Sequence, residues 1–361
     1  MIEVKRLSGI LNLDDKEEDI LPHQHIQALN LRFYGGSNGL TAENIVGNTL
    51  ITNSYKPAGD NEAIGAFYDG VKQRLIWFNW NSNNRHGIYQ YSISTGLITP
   101  LLVCFTNSQT DILGFDLDYP AASVNIIYTT DTDGDILTWV TRNKRPKCLN
   151  LLQAENNTYG ANWLEKYLDV AKEPPYIPIK CAYEDDATVT VNNLRKKLFK
   201  FKYRYWYSDN QKSTWSSESE IPVPFNYTDP EVDTDPTKNC RIGMVVQTGD
   251  ESVVKIEIAA CESLGNVFSN YFSTIILNKA DLTIPDDTMY LWRFYNNEAY
   301  EYVDLQESIL LFDRVPDLAN TQELLNGNVI VYGGITEGLD PVVPDVEMTV
   351  GTEYPLSIDY T

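Results

Sequence analysis

The sequence predicts an all-β protein: partial, β-propeller-like blades, an inserted fibronectin-III- or immunoglobulin-like β-sandwich, and a short connector helix. Three observations carry that prediction. Tyr outnumbers Phe 23 to 12, and with Thr, Val and Ile it suits a pleated, half-buried surface. Short runs alternate with period two, most strictly in Phe199–Tyr205 (FKFKYRY), which puts aromatics on one face and cations on the other. Tight-turn dipeptides such as Asp69-Gly70 and Asn326-Gly327 punctuate the runs. At 361 residues the chain exceeds one typical core, and two or three domains are expected.

Residues 1–150 form the first expected region, with propeller-like blades. Its start is loop-rich: Asp14–Asp19 (DDKEED) is a solvated charge run, and His25–Leu29 can make one helical turn. Strands are expected at Asn30–Tyr34 and Thr49–Asn53. Four more (Ile64–Tyr68, Arg74–Trp80, Gly87–Ser92, Leu97–Val103) have the spacing of one blade. A second set follows at Asp111–Leu117, Ser123–Thr129 and Leu137–Thr141; the spacing also suits a sandwich.

Residues 151–176 read as a connector helix, because Trp163, Leu164, Tyr167, Leu168 and Ala171 recur at helical spacing before Pro174-Pro175. Residues 177–310 read as the inserted sandwich, where Val254, Ile256 and Ile258, then Tyr290, Trp292 and Phe294, alternate with polar neighbours. Residues 311–361 return to blade-like strands: Asp317 can cap a short helix through Leu324, and Asn328–Tyr332 is a strand closed by Gly333-Gly334. The chain stops near Ile358–Thr361, within an expected strand, so other chains or further sequence are expected to complete the sheet.

The formal charge is −22, from 28 basic and 50 acidic residues. Holding nucleic acid requires basic patches, and anionic membranes attract them too, so both partners are disfavoured. Five scattered cysteines without a C-x-x-C pair read as reduced, mostly buried thiols, and no cofactor is indicated.

Among chemical constellations, Asp131, Asp133 and Asp135 invite a calcium reading. Placing Gly134 at the sixth loop position leaves Val140 where the bidentate acid belongs, so an Asp/Gly-rich turn accounts better for the run. His23, His25 and His86 read as surface residues without a third ligand. Trp77, Trp80, Trp206 and Trp215 could stack on sugars, although packing accounts for most such residues. Lys200, Lys202 and Arg204 make a cationic ladder on one strand face, either solvated or set against an acidic neighbour.

Three blocks carry a family resemblance. The first runs from Leu7-Ser8-Gly9-Ile10-Leu11-Asn12-Leu13-Asp14 through Pro22 and Ala28-Leu29-Asn30-Leu31-Arg32 to Glu43–Asn48. The second is Asn81–Tyr91 (NSNNRHGIYQY), followed by Trp139 and Asn143-Lys144-Arg145-Pro146-Lys147. The third runs from Leu311-Phe312-Asp313-Arg314-Val315-Pro316 to Tyr332-Gly333 and Thr336-Glu337-Gly338. In this order they resemble the nozzle proteins of short-tailed phages and the muzzle, or stabilisation, proteins of crAss-like phages. The resemblance implies a non-enzymatic virion tail protein, about six copies of which surround the channel. It further implies docking to ring or adaptor proteins, gating of the exit channel and passage of DNA without specific binding. Arg314, Pro316 and Glu337 join Lys200, Lys202 and Arg204 as interface candidates. The other readings are a glycan-binding or adhesin-like β-module and a carbohydrate-active propeller enzyme with two carboxylates.

Overall fold

The structure is a computed structural model that describes residues 10–11, 19, 24–25, 31–36, 39–44, 51, 55–226, 228–264, 267–304, 312 and 314–338. It is all-β with several antiparallel sheets, and divides into two compact units, Met1–Lys56 and Pro57–Thr361. In the smaller unit, β1 (Ile10–Leu11) pairs in parallel with β2 (Gln24–His25). Strands β3 (Leu31–Gly36) and β4 (Gly39–Asn44) form a hairpin in register from Leu31↔Asn44 to Gly36↔Gly39. Strand β2 thus takes His25 from the expected helical turn; the rest of that turn, His23, the expected strand at Thr49–Asn53 except Ile51, and the C-terminal strand near Ile358 lie outside the described residues.

The larger unit holds two cores. In the first, β5 (Asn61–Asp69), β6 (Arg74–Asn81), β7 (Gly87–Ser92) and β8 (Ile98–Val103) form a four-stranded antiparallel meander, close to the sequence expectation. Local turns explain that legibility: Asp69 Oδ1 accepts from the Val71 and Lys72 amides and shapes the β5–β6 turn. A three-stranded sheet follows, from β9 (Ala122–Ile127), β10 (Ile136–Val140) and β11 (Lys147–Asn150) in the order β11-β10-β9. No strand forms at Asp111–Leu117, where the backbone makes turns and a lone Asp116↔Tyr119 bridge. Apolar side chains there still reach the core: Ile112, Leu113 and Phe115 pack with Phe78, Trp139 and Leu149.

Asn150 then starts α1 (Leu151–Glu155) by accepting from the Gln153 amide. The expected connector helix ends there. Gly160 adopts φ of +59°, the Trp163 amide donates to the Asn107 carbonyl, and only one further 3-10 turn forms at Glu165–Leu168. Trp163 and Leu168 are nevertheless buried, so the apolar spacing serves an irregular strap across the core.

The second core lies between two sheets. One contains β12 (Lys180–Glu184), β14 (Arg241–Gln247) and β18 (Met289–Phe294) in the order β12-β14-β18. The other contains β13 (Phe199–Tyr207), β15 (Val253–Leu264), β17 (Phe272–Asn278) and β19 (Glu301–Tyr302), with β16 (Val267–Phe268) on β15. Phe199, Phe201, Tyr203 and Tyr205 point inward from β13 and meet Ile242, Met244 and Phe294 of the facing sheet. Burying each such side chain contributes about 1.5–3 kcal/mol. The chain changes sheets at each step from β12 to β15 and again around β18, staying in one sheet only through β15, β16 and β17, whereas immunoglobulin domains keep hairpin partners such as A and B together. Short helices α2 (Pro230–Thr234) and α3 (Lys279–Leu282) sit in its connections.

After the sandwich, β20 (Thr321–Leu325) and β21 (Val329–Gly333) form a hairpin around Asn326-Gly327. The helix expected from Asp317 through Leu324 is therefore a strand, because pairing with β21 outweighs a local cap. This hairpin packs beside β9 and β10, with Gln322 donating to Thr138 Oγ1 at 2.9 Å.

Candidate functional site

The first group of charges holds the hairpin-like turn between β9 and β10. Buried Arg74 donates to Asp69 Oδ2 at 2.8 Å and to Asp135 Oδ2 at 2.7 Å, while Lys72 Nζ reaches Asp135 at 2.8 Å. The Tyr128 hydroxyl donates to Asp69 Oδ1 at 2.7 Å. Burial pushes the Asp69 carboxyl up, but Tyr128, the Lys72 amide and Arg74 outweigh it and hold the group below its usual range. The three aspartates of the turn diverge: Asp135 faces these cations, Asp133 accepts from Thr130 and Asn210, and Asp131 is exposed. Among the described residues, no set of three His, Cys, Asp or Glu side chains converges in metal-binding geometry. Gly134, at φ of +81°, lets Asn150 and Leu152 approach closely where a side chain would clash.

His86 was expected at the surface but is buried between Trp80 and Phe115. Its Nδ1 accepts from the Asn81 amide at 3.1 Å, and its Nε2 lies 3.5 Å from Asp111 Oδ2. Burial depresses its pKa against the opposing pull of Asp111. Asp111 also accepts from Cys104 Sγ, and burial pushes that thiol up to about 12.

The cationic ladder of β13 finds its partners within the chain. Lys200 pairs with Glu218 at 3.2 Å and lies over Phe268; Lys202 lies over Trp215 and Tyr271. Buried Arg204 stacks on Trp215 and donates to Glu257 Oε2 at 2.7 Å, the same oxygen that takes the Trp206 indole N–H. The ladder is thus an ordered cation–aromatic layer on the outer face of the sheet.

A serine strap guards the edge of that strand. The amides of Ser213, Ser216 and Ser219 donate to the carbonyls of Tyr205, Tyr203 and Phe201. Their hydroxyls accept, in turn, from the amides of the same three residues at 3.0–3.1 Å. Each hydroxyl replaces the carbonyl of a neighbouring strand, three strap residues for every two of β13, so the strap closes an edge open to pairing. Neither periodicity of two nor of 3.6 reveals this serine spacing in the sequence.

The two cores are joined by a polar clamp. Lys172 Nζ pairs with Asp209 at 2.8 Å, both side chains buried, and also donates to the Tyr167 carbonyl. Lys166 pairs with Asp250, Tyr159 hydrogen-bonds Ser208, and Tyr167 donates to Glu251 at 3.0 Å. Tyr207 donates to the Glu173 carbonyl and Asn210 to Asp133. Around this clamp lies a cleft of about 270 Å³, lined by Tyr167, Tyr176, Tyr207, Arg145 and Arg314 among others. Arg145 also forms a salt bridge to Asp317, tying the returning segment to the first core.

Of the interface candidates, Lys200, Lys202 and Arg204 share one face, Arg314 enters the junction cleft, Pro316 is half-buried and Glu337 is exposed. No helix among the described residues is long and apolar enough to cross a membrane.

No family model matches the chain, and no curated protein matches it. Among solved structures, a puromycin-hydrolysing peptidase of Mycobacterium tuberculosis aligns at 9% identity with a TM-score of 0.17, over 74% of this chain and 42% of the peptidase. The chain thus spans less than half of that protein's length, and so low a score carries no inference about fold or activity.

Proposed function

We propose that this chain is a structural subunit of a phage tail, of the nozzle or muzzle type, arranged in about six copies around the DNA exit channel. The observation that carries this reading is the clamp at Lys172–Asp209, Lys166–Asp250 and Tyr159–Ser208, which joins two β modules through contacts remote in sequence. A channel ring under internal pressure needs subunits whose modules do not slide, and the buried Lys172–Asp209 pair favours one geometry. The three sequence blocks in family order support the same reading. So does the charge of −22, which repels phosphate and lets DNA pass without adhering. Groups that could serve as acids or bases, Asp69, Asp135 and Glu257 among them, hold structural partners here. Virion localisation, docking to ring or adaptor proteins and the absence of enzymatic activity belong to this proposal. Localising the chain in virions by cryo-electron microscopy tests it; a position in a cell envelope and not in a tail would overturn it.

The tyrosine-lined cleft favours a second reading, a glycan-binding or adhesin-like module. That reading expects glycan-array binding by the isolated chain that disappears in Tyr176→Ala.

A further inference from the structure

The sandwich carries a groove of its own, between the segment entering β13 and the segments around Val223 and Val232. Its volume is about 530 Å³. Leu194, Leu198, Val223, Pro224 and Val232 provide aliphatic lining, and Leu198 and Val223 remain exposed. Arg195, Lys196, Lys197 and Lys238 lie along the same walls, with Lys197 paired to Glu262 at 2.9 Å and Lys238 to Asp185 at 2.8 Å.

Arg195 decides the chemistry. Its Nη2 is buried and has no hydrogen-bond partner among the described residues. Leaving such a donor unpaired is unfavourable, and a guanidinium fork matches a carboxylate in shape and charge. Two neighbouring acids hold other partners, and Asp235 is also stabilised by the nearby Arg195 charge without reaching Nη2 by a hydrogen bond. Asp185 is held by Lys238 at 2.8 Å and by the Asn239 amide at 2.9 Å, and Asp235 accepts from the Thr237 amide and hydroxyl. An aliphatic floor beside a guanidinium with one unpaired nitrogen suits a peptide that mixes valines with carboxylates. This sequence contains one: residues 341–353 read PVVPDVEMTVGTE, with Asp345, Glu347 and Glu353 and no Lys or Arg.

We infer that the groove receives residues 341–353 of a second copy of this chain, with Arg195 clamping one of its carboxylates. The inference rests on the groove's own chemistry and does not depend on where the protein works.

Sedimentation velocity on the full chain tests it. Wild type associates as concentration rises. Arg195→Glu and the double variant Asp345→Lys/Glu347→Lys each weaken association at least about tenfold, and mixing the two restores it, because the swapped charges are complementary. Wild-type association equal to that of both variants would overturn the inference, as would a wild type that stays monomeric because its own segment fills the groove. If Arg195→Glu fails to fold, a fluorescein-labelled peptide of residues 341–353 is titrated into wild type. Displacement by the unlabelled peptide but not by its Asn/Gln counterpart is expected, and equal displacement by both would refute the role of the carboxylates.

Discussion

Breaking the Lys172–Asp209 pair is the sharpest test of the clamp. At 2.8 Å, with an effective dielectric of about 20, the gross attraction is about 6 kcal/mol, and desolvating the two buried ions takes back several kcal/mol. Replacing Asp209 with Asn leaves the Lys172 ammonium with the Tyr167 carbonyl and the Tyr207 ring face. Removing one member of a buried pair typically costs about 3–5 kcal/mol. We therefore expect Asp209→Asn to lower unfolding stability by about 3 kcal/mol in urea titrations followed by tryptophan fluorescence. The double change Lys172→Met/Asp209→Leu removes both charges and should recover most of that loss, since an apolar pair of similar volume is often neutral or stabilising. Calorimetry adds a second readout: the weakened clamp should split one transition into two as the cores uncouple. An Asp209→Asn variant within about 0.5 kcal/mol of wild type, melting in one step, would show that the pair does not hold the two cores together.

Arg74→Met should cost about 3–5 kcal/mol by leaving Asp69 and Asp135 buried without their shared guanidinium, read by urea denaturation. Because the folded pKa of His86 lies below 6.5, the unfolded chain takes up the proton first as pH falls. Its contribution is therefore fully present above pH 6.5 and is lost below it, at no more than about 1.4 kcal/mol per pH unit. His86→Gln should flatten the dependence of melting temperature on pH just below 6.5, and an unchanged slope would contradict this. Ser216→Ala strands the Tyr203 amide and should cost about 1–3 kcal/mol, and the triple change at Ser213, Ser216 and Ser219 should add aggregation, seen by light scattering.

Where turns are local, the fold was legible. The meander from β5 to β8 follows period-two runs and Asp-Gly or Asn-rich turns, so each strand announces itself. Strand β20 did not, because Asp317 looks like a helix cap until Arg145 claims its carboxylate and β21 supplies a partner strand. Trp163, Tyr167 and Leu168 carried a helical spacing, yet Gly160 and the Trp163–Asn107 hydrogen bond impose an irregular strap. His86 read as exposed because its neighbours are asparagines, but Asn81 turns inward to meet it. The clamp was not legible at all: with 50 acidic residues, nothing in the order of the chain pairs Lys172 with Asp209 or Lys166 with Asp250. The ladder at Lys200, Lys202 and Arg204 was visible as a pattern, while its aromatic cover from Trp215, Phe268 and Tyr271 required the folded sheet.

Cryo-electron microscopy of particles carrying a tagged copy tests most directly the proposed role as a ring-forming tail subunit. Density for the tag is expected in a ring of about six positions around the tail channel. Tag density absent from the tail, with the protein recovered as free monomers that bind glycans, would contradict it.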